Sequence, residues 1–123
     1  METNQSGRNF SAIHLAASER TVSAVTSLCN KLAEVSGRLD EKHTFAVGQF
    51  VRWKQGLKNR TFPDYGEPAI VRAILPCPIF DPEETAASSP YFQEPLSVVV
   101  GVFRESDFLE YRLDGRRLEP YES

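Results

Sequence analysis

Catalysis and metal binding need side chains that can move protons, attack, or hold an ion, and this sequence offers few of them in workable groupings. His14 and His43 lie on either side of a helical stretch. Neither shares a motif with a serine, cysteine or carboxylate that would make a nucleophile and its base recognisable. Cys29 and Cys77 stand alone and far apart, which suits neither a CxxC motif nor a disulfide framework, so reduced thiols are expected. Asp81, Glu83 and Glu84 form the one close acidic set, in a stretch read as a mobile loop, whereas a metal site needs three or four well-placed ligands. No glycine-rich phosphate loop of the GxxxxGK[ST] or GxGxxG kind occurs. The expectation is a non-enzyme without cofactor or metal.

Recognition is the other chemistry available, and one stretch concentrates it. In RWKQGLKNRTFPDYGEPAIV, residues 52 to 71, Arg52, Lys54, Lys58 and Arg60 crowd around Trp53 and run into Phe62, Pro63 and Tyr65. Aromatic rings and arginine are favoured anchors at protein interfaces. Trp53, Lys54, Lys58, Asn59, Arg60, Phe62 and Tyr65 are therefore candidates for a partner-binding face. The competing reading is a solvated loop with its aromatics folded inward. Gly56, Gly66, Pro63 and Pro68 would set its path, since glycine permits positive φ and proline holds φ near −65°.

Residues 76 to 95, PCPIFDPEETAASSPYFQEP, hold five of the eight prolines and four acidic groups, long for a connection in a compact domain. Tyr91 and Phe92 in PYFQEP make a semi-rigid aromatic pair and join the candidate face, against the alternative of a disordered insertion. Arg116 and Arg117 in DGRRL offer guanidinium forks suited to carboxylate or phosphate. Pairing with the acidic groups of their own segment is the competing fate.

The charge is unevenly spread. Residues 1 to 44 carry five basic and five acidic groups, residues 45 to 75 carry five and two, and residues 76 to 123 carry four and ten. The middle is therefore +3 and the tail −6, within a net charge of −3. That total argues against nonspecific grip on nucleic acid, because phosphate binding is dominated by positive charge, while leaving room for a local basic patch. No segment approaches the roughly 18 apolar residues of a membrane span and the N-terminus lacks an export pattern, so a cytoplasmic protein without membrane attachment is expected.

The elements that must position these residues follow from periodicity. At 123 residues, with 41% hydrophobic and 25% charged, the chain fits one small globular domain. Residues 1–17 are polar and read as a flexible arm. From Ser18, a plausible N-cap, a helix is expected over 18–43 with Val25, Leu28, Leu32, Val35 and Leu39 spaced 3, 4, 3, 4. Such a stripe either docks on a sheet of the same chain or pairs two copies into a homodimer. Beyond residue 44, strands are expected at QFVRWK (49–54), AIVRAIL (69–75, closed by Pro76), LSVVVGVF (96–103), FLEYRL (108–113) and LEPY (118–121). Gly101 inside the third suggests a bulge or bend.

Five short strands joined by a long basic loop, a longer proline-rich loop, a tight hairpin and a one-turn link resemble the SH3-like small β-barrel. The wording VGQFVRWK, GLKNR, YGEPAIV, EPLSVVVGV and LDGRRLEPY is similar to that of uncharacterised bacterial proteins of this barrel type. The resemblance covers residues 45 to 121 and implies a mainly β (α+β) fold, a five-stranded SH3-like barrel over 44–123 preceded by one amphipathic helix. The ALYDY-type segment and paired tryptophans of proline-peptide-binding SH3 domains are missing. What the resemblance implies about function is a module that binds another protein, adaptor-like or inhibitor-like. The alternative is an accessory of the Tudor or KOW kind, with Trp53, Lys54, Lys58 and Arg60 stacking on and neutralising a nucleic acid.

Overall fold

The computed structural model describes residues 15–84 and 86–122, with side chains from Thr21 onward. The elements are α1 (Leu15–Asp40), β1 (Phe50–Trp53), β2 (Ala69–Ile79), β3 (Leu96–Arg104), β4 (Asp107–Leu113), a 3-10 turn (Gly115–Arg117) and β5 (Leu118–Pro120). The chain forms two compact units that divide between Ser36 and Gly37. The expected mainly β fold with one helix is what the chain adopts.

Helix α1 begins before Ser18 and stops at Asp40, three residues short of the expected end. Within the first unit Val22, Val25, Leu28 and Leu32 are exposed, and Val35 is half-buried. The last turn, with Leu39, belongs to the second unit. There the Glu41 amide donates to the carbonyls of Gly37 and Arg38. Residues 1–14 of the expected arm lie outside the described residues, and 15–17 are helical.

All five strands are antiparallel, in the order β4-β3-β2-β1-β5, and the sheet is open, with β4 and β5 as its edges. Its two faces differ because side chains alternate along each strand. One face holds the core: Val51, Trp53, Ala69, Val71, Val98, Val100, Val102, Leu113 and Leu118, with Phe45 and Tyr111 packed against it. Directly opposed residues share a face. The row Phe50↔Ile70↔Gly101↔Glu110 and the pair Phe103↔Phe108 therefore line the opposite, outward face.

Two details depart from the sequence reading. The irregularity expected at Gly101 lies in β2, where Arg72 is the extra residue between Val71 and Ala73. Gly101 itself lies under Phe108, whose ring a Cβ would meet at 2.2 Å. β2 also runs through Pro76 and Pro78 to Ile79. The prolines are tolerated because the register between Ile74 and Ile79 is broken there, so their missing N–H groups remove no ladder bond.

The hairpin between β3 and β4 turns on Glu105 (φ 54°) and Ser106 (φ 75°), the two-residue form with both central residues in the left-handed region.

Candidate functional site

Of the residues expected to form one basic, aromatic rim, the fold joins Asn59, Arg60, Tyr91 and Arg117 near Glu94 and sets Lys58 beside Tyr65, while Trp53 and Lys54 face inward. Trp53, 2% exposed, is a core residue, and its indole N–H donates to the Pro63 carbonyl at 2.6 Å. Burying that ring anchors residues 54–68, which also insert Leu57 and Pro63 into the interior. Trp53 therefore cannot serve as a partner-facing platform. The alternation of β1 dictates this, since Val51 and Trp53 share one face and that face is the core.

Lys54, only 1% exposed, is likewise enclosed within the fold rather than set on its surface. Its ammonium donates to the backbone carbonyls of Arg38, in the last turn of α1, and of Glu41, just past it, adding to the Glu41 amide that also donates to the Arg38 carbonyl. Burial pulls its pKa below the ordinary lysine value, while the carboxylates of Glu41 and Glu119 act in the opposite sense. The Arg38 guanidinium, donating to the Gln55 carbonyl at 2.9 Å, ties the same helix end to the same loop.

Asn59, Arg60 and Arg117 converge on Glu94, a carboxylate whose side chain is 5% exposed. The Asn59 amide donates to it at 2.6 Å, Arg60 pairs with it at 2.5 Å, and the Arg117 Nε lies 3.7 Å away. Arg60 also lies over the Tyr91 ring, 4.0 Å from its centroid. Arg116 is bound to buried Asp114 at 2.7 Å, and Arg117 donates to the Leu57 carbonyl. These contacts lock the 54–68 loop, the end of the 80–95 loop and the 3-10 turn together. They are the structural reading of Arg116 and Arg117, extended to Asn59 and Arg60.

Phe62 is half-buried against Tyr111, with the Arg104 guanidinium 3.8 Å from its ring centroid. Arg104 in turn forks onto Glu67 at 2.7 and 2.9 Å. That hydrogen bond holds the Glu67 pKa below the usual carboxylate value. Among the candidates Tyr65, Phe92 and Arg116 are exposed, Arg116 while paired with Asp114, and Lys58 is half-buried. The Lys58 ammonium lies 6.0 Å from the Tyr65 ring centroid, and the Tyr65 hydroxyl accepts from the Lys58 amide.

The uneven charge of the sequence thus has an internal explanation. Middle-segment Arg52, Arg60 and Arg72 pair with Glu119, Glu94 and Glu110 of the acidic tail. Tail residue Arg104 pairs with Glu67 of the middle segment. Sequence reasoning missed Glu94 as the hub; its place between Phe92 and Pro95, in a long acidic loop, carries no signal of burial.

Sequence reasoning also passed over the outward face of the sheet. Phe50 and Phe103 are 55% and 64% exposed, Phe108 is 48% exposed, and Phe103 meets Phe108 edge-on at 5.8 Å. Their types and spacing were legible, but which face of each strand would be covered was not. A separate groove of about 510 Å³ is lined by Ile79, Asp81, Pro82, Leu96, Val99, Glu110, Tyr111 and Arg112.

Among the described residues no group of His, Cys, Asp or Glu is placed to hold a metal ion. No described helix is long and apolar enough to cross a membrane. Cys29 and Cys77 are both free and exposed. No protein-family model matches this chain, and neither curated proteins nor solved structures include a match.

Proposed function

We propose that this chain is a non-enzymatic protein-binding module, an SH3-like roll that meets its partner through the outward face of its sheet. The observation that carries the reading is the set of exposed Phe50, Phe103 and Phe108 on one face, with half-buried Ile70 between Phe50 and Gly101. Exposed apolar surface of this kind marks interaction sites, and here Phe103 and Phe108 are in contact. The SH3-like part of the reading is supported by the strand order, by β5 lying beside β1, and by the 3-10 turn that introduces β5.

The rim expected from the sequence contributes at its margin, through Lys58, Tyr65 and Phe92. Its other cations are engaged within the fold, which weakens the nucleic-acid alternative: of Lys54, Lys58 and Arg60, only Lys58 lacks a carbonyl or carboxylate partner among the described residues. A phosphate-binding surface needs several such charges together.

The test is affinity capture with the double variant Phe50→Ser/Phe103→Ser. Both positions are more than half exposed, so stability should change by no more than about 1 kcal/mol. The expected result is one discrete host protein retained by the wild type and lost with the variant at unchanged melting temperature. Equal retention by both would overturn the reading. So would tight, salt-sensitive binding of a short oligonucleotide by either protein.

A further inference from the structure

The two sheet edges are not equally protected. β5 is three residues long and ends in Pro120, and short edge strands and proline both discourage strand addition. β4 runs for seven residues without proline or lysine. The two-residue hairpin fixes which of its backbone groups are spent: Asp107 opposes Arg104 next to the turn, so Asp107, Leu109, Tyr111 and Leu113 exchange hydrogen bonds with β3. The N–H and C=O groups of Phe108, Glu110 and Arg112 point away from the sheet. No backbone or side-chain hydrogen bond outside the sheet reaches them among the described residues, and all three residues are exposed.

Side chains on this edge complement themselves in one register. Glu110 and Arg112 are two apart, on the same outward face, and Arg112 has no ion-pair partner among the described residues. An antiparallel second copy centred on Tyr111 would place Glu110 opposite the second copy's Arg112, and Arg112 opposite its Glu110. Both pairs fall where the free backbone groups exchange hydrogen bonds. Centring on Glu110 would set two carboxylates face to face, which disfavours that register. The Arg72 ion pair does not prevent this, since a carboxylate accepts several hydrogen bonds and Glu110 remains half exposed.

We infer that the β4 edge is a self-association site, where two copies join antiparallel about Tyr111 into one continuous sheet. This rests on the edge and its charges, independently of the aromatic face.

Sedimentation of the full chain up to about 1 mM should show a reversible monomer–dimer equilibrium. Amide exchange at Phe108, Glu110 and Arg112 should slow as concentration rises. Arg112→Glu should weaken the dimer by about tenfold or more, because two opposite-charge pairs become like-charge pairs. The exchanged variant Glu110→Arg/Arg112→Glu should recover it. Trp53 fluorescence confirms that each variant is folded. A monomer throughout the range would overturn the inference. So would a dimer indifferent to Arg112→Glu but abolished by Leu28→Asp, which would assign association to α1. Failure of the exchanged variant to recover would overturn the register.

Discussion

Replacing Glu94 by glutamine keeps the shape of the side chain and removes the charge on which two loops and the 3-10 turn converge. Arg60 and Asn59 both donate to that carboxylate, and Arg117 lies within ion-pair distance. Breaking a fully buried ion pair costs about 3–5 kcal/mol, and a hydrogen bond to a charged group contributes roughly 1.5–3 kcal/mol. The Arg60 side chain is 26% exposed and can recover some hydration, which brings the expected loss to about 2–3 kcal/mol. For a unit of this size that lowers the melting temperature by roughly 10–20 °C. Urea unfolding followed by Trp53 emission measures it directly, because the single tryptophan is buried beside the loop in question. Glu110→Gln is the control: its pair with Arg72 is about half exposed on both sides and should contribute less than about 0.5 kcal/mol. If Glu94→Gln proves no worse than Glu110→Gln, the claim that the basic loop is held by internal pairing fails.

Other consequences are as direct. Lys54→Met retains the apolar stem but removes the ammonium from the Arg38 and Glu41 carbonyls, of which the first keeps the Glu41 amide, so about 1–2 kcal/mol of stability should be lost. Amide exchange from Gly37 to Glu41 should quicken with it. Glu67 has its folded-state pKa lowered by Arg104, so its contribution is present above the unfolded pKa and disappears as pH falls through the folded value. Glu67→Gln should therefore be less stable than wild type near neutrality. The gap should close as pH falls below the ordinary carboxylate value and through the lowered folded one, read as urea midpoints across pH.

Much of the fold was legible because short-range physics sets it. Alternation in QFVRWK and FLEYRL, the apolar run LSVVVGVF and the 3, 4 spacing of α1 each report a local period. Gly56 and Gly66, read as turn formers, hold φ of 86° and 78°. The boundaries of β2 were less legible. Pro76 ends a strand only where its N–H is needed, and that need depends on pairing with β3. Of the candidate site, the residues were legible by type, and Asn59, Arg60, Tyr91 and Arg117 do come together, but around a buried Glu94 that the sequence did not mark.

That difference has one physical origin. Composition and periodicity by themselves determined one helix followed by five strands, the first of them Trp-bearing, and a cationic middle segment followed by an acidic tail. Tertiary structure alone decided that Trp53 lies under its loop and that Arg60 meets Glu94 across 34 residues of chain. It also decided that Phe50, Phe103 and Phe108 face outward. Local sequence sets the alternation of a strand, but which of its two faces is buried depends on what folds back against it. A charge likewise becomes a binding group or a structural one only when long-range pairing determines whether an opposite charge is already beside it.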